Sequence, residues 1–152
     1  MSNTDYGRLR DEIQCIVDSP AFLPQRAHPT DAGADLLSTT SVVIEVGETV
    51  AVNTGVSVKI PKGTAGFVFS RSSQGKIGVS LANSVGLIDS DYRGPLIVLL
   101  TNNGGTSYTV EAGKTKVAQL VVVPVYLPVF VDIWNDTARG KGGFGSTDSK
   151  TN

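Results

Sequence analysis

A chain of 152 residues with 40% hydrophobic side chains is long enough for one packed domain and too apolar to be disordered. Thirteen Lys+Arg against fourteen Asp+Glu give no overall field to attract nucleic acid or a membrane surface, so any anion site must be local, built from a few Arg, Ser and backbone N–H groups. One cysteine, Cys15, and one histidine, His28, exclude an internal disulfide and a Cys/His zinc site, and the only histidine open to a Ser-His-Asp triad stands in a polar stretch before Pro29, where it reads as a surface loop residue.

In chain order, residues 1–11 form a polar N-terminal extension without the apolar centre of a signal peptide. Tyr6 to Gln14 has the composition for a turn or two of helix. Glu12 to Val17 alternates as a strand does, led by Ile13, Ile16 and Val17, with Cys15 as a small core or edge side chain. Val42 to Val46 predicts a second strand, closed by Gly47. Thr49 to Ile60 predicts a longer one, in which Val56, Val58 and Ile60 alternate with Ser57 and Lys59, the pattern of a strand buried on one face. Gly66 to Phe69 is short and aromatic. Leu96 to Leu100 and Leu120 to Val123 are unbroken apolar runs of the kind buried central strands show, and Leu127 to Trp134 is a further apolar run with Pro128 near its start. Turn signals separate the runs at Pro61-Lys62-Gly63, Asp91-Tyr92-Arg93-Gly94 and Asn103-Gly104-Gly105. Many short strands with frequent turns predict an all-β fold, a sandwich, jelly roll or distorted barrel, formed as a single domain by residues 12–136. No stretch approaches the roughly 18–20 apolar residues that cross a bilayer, so a cytoplasmic protein is expected, with the nucleus or the mitochondrion also open.

Residues 137–152 differ in kind. Arg139-Gly-Lys-Gly-Gly-Phe-Gly-Ser-Thr147 holds four glycines and one ring, too little apolar surface to order itself. A frayed end is one reading. A flexible segment that closes over a ligand is the other: glycine backbone approaches closely, arginine pairs with phosphate and a ring stacks on a base. Two nucleotide motifs are excluded. Gly113-Lys114-Thr115 resembles the end of a P-loop, but Tyr108 stands where its first glycine would be. The glycines at 140, 142, 143 and 145 follow no strand and open no helix.

Five segments remain: Asp31-Ala-Gly-Ala-Asp-Leu36, Ser70-Arg-Ser-Ser-Gln-Gly75, Asn83-Ser-Val-Gly-Leu-Ile-Asp-Ser-Asp-Tyr-Arg-Gly94, Lys116-Val-Ala-Gln-Leu120 and Arg139 to Thr147. In this order they closely resemble the five motifs of trimeric deoxyuridine triphosphatases, the dUTPases, over nearly the whole chain from about Ile13 to Thr147. The third and fifth are the most specific. The resemblance implies a homotrimeric jelly roll or distorted barrel with a flexible Gly-rich C-terminal arm. It implies hydrolysis of dUTP to dUMP and pyrophosphate with Mg²⁺, serving nucleotide-pool sanitation and dUMP supply for thymidylate synthesis, with no nucleic-acid or membrane partner.

By the same resemblance, Asp89 is the general base for the attacking water. Asp89 follows the apolar pair Leu87-Ile88 in a turn, where a carboxylate can be held at a pocket edge; in an arbitrary sequence it would read as a turn former, as Asp91 does. Asn83, Gly86, Leu87 and Ile88, with Ile97 beyond the turn, are similar to the family's uracil-binding hairpin. Tyr92 is similar to the ring that packs on deoxyribose and leaves no room for a 2′-hydroxyl. Arg71, Ser72 and Ser73, joined by Gln119, resemble the phosphate cradle. Asp35 resembles the residue that orients waters on Mg²⁺ and so touches the metal only indirectly. Arg139, Phe144, Gly145, Ser146 and Thr147 resemble the closing arm, its ring on uracil and its polar groups on the outer phosphates.

Some residues depart from the family pattern. Ser70 stands for a proline and Ser73 for a glycine, and a serine at positive φ would be strained. Lys116 replaces an arginine, and Gly113 stands one position early. The related dCTP deaminases share an Arg-Ser-Ser but carry a catalytic glutamate in a Thr-Leu-Glu pattern; the matching stretch here is Leu96-Ile-Val-Leu99, and Leu99 cannot move protons. The remaining alternatives are a dUTPase-like trimer acting only as a binding partner and a structural β-trimer of capsid type; the latter explains none of the motifs.

Overall fold

Short runs of β-branched residues punctuated by Gly and Pro give, in chain order, β1 (Cys15–Val17), β2 (Ala34–Leu37), β3 (Val42–Ile44), β4 (Thr49–Asn53), β5 (Val56–Val58), β6 (Thr64–Phe69), one helical turn α1 (Ser72–Gly75), β7 (Val79–Leu81), β8 (Gly86–Ile88), β9 (Ile97–Asn102), β10 (Tyr108–Val110) and β11 (Lys116–Pro124). This is a computed structural model, and it describes residues 12–19, 22–135, 137 and 140–141. Arg139, Phe144, Gly145, Ser146 and Thr147 lie outside the described residues, as do residues 1–11. Every named pairing is antiparallel. A four-stranded sheet runs β2-β11-β6-β8, a three-stranded sheet runs β4-β9-β7, and β1-β5 and β3-β10 form two-stranded ribbons.

One core joins them. Leu36, Val68, Val117, Ala118 and Leu120 come from the four-stranded sheet, Val52, Val79, Leu81, Val98 and Leu100 from the three-stranded one, and Ile44, Val56, Val58 and Val110 from the ribbons. This all-antiparallel arrangement, with alternate residues of most strands buried in the core, is the all-β class expected.

Four details depart from the sequence-based expectations. Thr49 to Ile60 is two strands in two different sheets. Thr54 is buried and donates its hydroxyl to the Leu96 carbonyl at 2.8 Å, and Gly55 turns the chain at φ +67, where a Cβ would lie 2.5 Å from Thr39 Cγ2. Leu96 to Leu100 is central but not buried on both faces: Val98 and Leu100 point inward, while Ile97 is 55% and Leu99 42% exposed. Leu127 to Trp134 forms no strand, and its large side chains are exposed, Phe130 at 93%. Residues 12–14 are not helical, and the rest of the helix expected over Tyr6 to Gln14 lies outside the described residues.

The spine of the four-stranded sheet sets the stage for the site. At the C-terminal end of β6, Phe69 pairs with Gln119 of β11, and Ser70 and Arg71 follow at once. At its other end, Gly66 pairs with Ile88, so Asp89 leaves the sheet across from Ala65.

Candidate active site

Two clusters form, one at each end of β6. In the first, Arg71 begins α1. Its backbone N–H donates to Gln74 Oε1 at 3.2 Å, and Gln74, buried, donates its Nε2 to the Val117 carbonyl at 3.2 Å and to the Tyr108 hydroxyl at 3.4 Å. The Arg71 side chain donates Nε to Asp35 Oδ1 at 2.9 Å, and Nη1 makes a long 3.4 Å contact to Ser73 Oγ. Lys116 Nζ sits 2.8 Å from the other Asp35 oxygen. Gln119 faces Asp35 in the β2–β11 register and donates Nε2 to the Ser70 carbonyl at 3.0 Å. Ser72 and Ser73 are exposed. Two cations against one carboxylate leave a net positive patch whose free guanidinium donors and hydroxyls suit a phosphate.

Asp35 belongs to the four-stranded sheet. It lies on β2, its side chain 15% exposed between two cations. The departures from the family pattern also find their reasons. Ser73 sits inside α1 and does not adopt positive φ, so it carries no strain. Ser70 uses a hydroxyl that proline lacks, accepting the Leu81 N–H at 2.9 Å and so tying the loop to β7. Gly113 takes φ +68 and donates its N–H to the Ser38 carbonyl at 2.8 Å, so the turn before Lys116 is well formed.

In the second cluster, Leu87, Ile88, Asp89, Tyr92 and Ile97, with Pro95 and Leu96, line an open cavity of about 180 Å³. The Tyr92 hydroxyl donates to the Pro95 carbonyl at 3.0 Å, which folds the ring back over Gly94; a Cβ on Gly94 would lie 2.4 Å from that hydroxyl. The Asp89 turn closes through its own backbone carbonyl, which accepts the Tyr92 N–H at 3.2 Å. Its exposed carboxylate makes no side-chain hydrogen bond or ion pair among the described residues and remains available as a proton acceptor. Asn83 and Gly86 lie farther along the hairpin, outside the cavity lining. There Ser84 takes φ 63 while the Val85 N–H bonds the Asn83 carbonyl at 2.7 Å, a tight three-residue turn.

The two clusters do not meet in one chain. Arg71 stands six positions along the strand direction from Ala65, the residue beside Asp89, which at about 3.3 Å per residue is about 20 Å. This gap is too wide for one chain to place its own Asp89 beside its own Arg71. The sequence reading missed Gln74, whose only signal is its offset of three from Arg71, the spacing of half a capping box. It also missed Pro95 and Leu96 as cavity walls.

The fold and sequence are similar to those of known proteins. A family model described as dUTPase matches residues 19–148. The deoxyuridine 5'-triphosphate nucleotidohydrolase of Rhodococcus erythropolis is 46% identical over 135 residues, which is 86% of this chain and 82% of that protein. The dUTPase of Staphylococcus bacteriophage 80alpha, solved with dUPNHPP, superposes with a TM-score of 0.78 at 30% identity, covering 90% of this chain and 98% of that one. A mutant dUTPase from phage phi11 of S. aureus, described with a structural Mg(II) ion, gives 0.73 at 28% identity over 82% and 98% of the two chains. On a family match over most of its length and on this level of identity, the chain belongs to the dUTPase family.

Proposed function

We propose that this chain hydrolyses dUTP to dUMP and pyrophosphate, with Asp89 activating the attacking water and the site assembled from neighbouring copies of the chain. The observation that carries the reading is the division of labour along β6. A free carboxylate and a tyrosine ring stand at an apolar cavity at one end, and an arginine-centred cationic cluster stands at the other.

The cavity takes the nucleoside. Backbone groups of the Asn83–Ile88 hairpin read uracil, Leu87, Ile88 and Ile97 supply apolar walls, and the Tyr92 ring, held by its bond to Pro95, fills the space a 2′-hydroxyl would need. The Arg71–Ser72–Ser73 loop and Gln119 hold phosphate oxygens and gather the charge that develops on the triphosphate. Asp89 accepts a proton from water as its oxygen bonds the α-phosphorus. The bond from that phosphorus to the bridging oxygen breaks, and pyrophosphate leaves with the electron pair. Arg139, Phe144, Gly145, Ser146 and Thr147 complete the enclosure by the same motif match.

The donor set accommodates Mg²⁺ only as an ion carried by the substrate. Among the described residues no group of three or more His, Cys, Asp or Glu converges to cage a metal. Asp35 spends one acceptor position on Arg71 and one on Lys116, which leaves lone pairs for the hydrogens of metal-bound water but little reason to ligate directly. When bound to the phosphates, the ion supplies charge neutralisation.

Three features support a closed trimer. The site is split along β6. Phe67, Phe69, Val121 and Leu87 give the outer face of the four-stranded sheet an apolar, half-exposed character. The run from Tyr126 to Trp134 exposes seven large apolar side chains that a second copy would cover. No helix among the described residues is long and apolar enough to cross a membrane. We place the protein in the cytoplasm, where it removes dUTP and supplies dUMP. Incubation with dUTP and Mg²⁺ tests the reading: pyrophosphate and dUMP should appear in equal amounts, with no ammonia from dCTP. Ammonia release from dCTP without pyrophosphate from dUTP would assign the deaminase chemistry instead.

A further inference from the structure

We propose that Lys116 is a positioning residue of the phosphate-binding half of the site, acting through Asp35 to fix the guanidinium of Arg71; the proposal rests on the dUTP reading above. Lys116 and Gln119 are three positions apart on β11. In a regular strand an odd separation sends two side chains to opposite faces. Here the β2–β11 register shifts between Lys116, opposite Leu37, and Ala118, opposite Leu36. The bulge makes Val117 and Ala118 both buried and returns Lys116 to the face that carries Asp35 and Gln119. Bulges next to active sites commonly re-aim a side chain in this way. The Val117 carbonyl is held by Gln74, which also holds the backbone of Arg71, so the bulge and the phosphate loop are one connected unit.

The geometry around Asp35 gives the bulge its consequence. Each carboxylate oxygen has one cation: Oδ1 takes Arg71 Nε and Oδ2 takes Lys116 Nζ. Because Nε is the atom engaged, the terminal nitrogens of Arg71 make only the long 3.4 Å contact to Ser73 Oγ and keep donors for a phosphate. The outer torsion of an aspartate is broad. Without Lys116 on Oδ2 the carboxylate can swing and draw the terminal Arg71 donors into a two-bond fork, the preferred arginine–carboxylate pairing. Those are the donors the phosphate needs. Lys116 thus acts on phosphate binding through the orientation of Arg71.

The test is a double-mutant cycle on the full chain, read as the dissociation constant of a non-hydrolysable dUTP analogue with Mg²⁺, beside that of dUMP. Lys116→Met should weaken analogue binding about 5- to 10-fold, the scale of one ordinary hydrogen bond, and raise KM for dUTP, while dUMP binding falls much less. Lys116→Arg should restore binding. In an Asp35→Asn background, Lys116→Met should add no further loss. Thermal melts show whether each variant is folded, and the arginine variant keeps the test open if the methionine one is not. Unchanged binding in Lys116→Met, an equal loss for dUMP, or the same loss with and without Asp35 overturns the proposal, the last result meaning that Lys116 meets the phosphate directly. Wild-type protein that neither hydrolyses dUTP nor binds the analogue overturns the functional reading and this proposal together; an active wild type beside an unaffected Lys116→Met overturns only this proposal.

Discussion

If Arg71 and Asp89 serve the same reaction from different copies of the chain, two dead variants should rescue one another. Arg71→Ala removes the guanidinium from the phosphate cluster and leaves the nucleoside cavity intact; Asp89→Asn removes the proton acceptor and leaves the phosphate cluster intact. The β6 register separates the two residues within one chain by six positions, or about 20 Å. In a closed ring each site then draws Arg71 from one copy and Asp89 from another. After equal mixing, about half of the first contributors retain Arg71 and about half of the second retain Asp89, so about one quarter of the sites are whole. Co-refolded variants should recover about one quarter of the wild-type rate of pyrophosphate release, although each alone is nearly inactive. A mixture no faster than the average of the two separate variants would refute the shared site and require both groups to act from one chain.

Asp89→Asn alone should lower kcat by about 10²-fold or more, the usual cost of losing a general base, with analogue binding retained; near-normal turnover would place the base elsewhere. Tyr92→Ala should raise kcat/KM for UTP relative to dUTP, and an unchanged ratio would remove the ring from sugar selection. Gln74→Ala strands the buried Val117 carbonyl, at about 1–3 kcal/mol for a buried group left unpaired, and the half-buried Arg71 N–H, so urea melts should show a clear loss of stability; an unmoved midpoint contradicts the bridging role read from its bonds. Ending the chain at Asp136 should leave the oligomer intact in sedimentation and sharply reduce turnover, and full activity would assign Arg139 to Thr147 no part in the site.

Strands rich in β-branched residues were legible in the sequence, among them the middle of β11 and the alternating β5. The strands β2, β7, β8 and β10 were not, and three of them lie inside or beside motif segments rich in Gly, Ser and Asp. Leu96 to Leu100 misleads for a different reason. A continuous apolar run reads as buried on both faces, whereas Ile97 and Leu99 face outward, Ile97 into the cavity beside Asp89. The candidate site residues stand out through motif order, not through periodicity. Asp35 shows the limit: its two partners come from distant segments, and one arrives only because a bulge turns Lys116 onto its face. Nothing in local sequence pattern announces a bulge. The split of the site along β6 likewise follows from strand register, which two isolated motifs do not reveal.

The most direct test of the central claim follows the oxygen of the attacking water. Turnover of dUTP with Mg²⁺ in ¹⁸O-labelled water, read by mass spectrometry of both products, should place one labelled oxygen in dUMP and none in pyrophosphate, as attack on the α-phosphorus requires. Label in pyrophosphate, stepwise release of inorganic phosphate, or no turnover of dUTP would contradict the account.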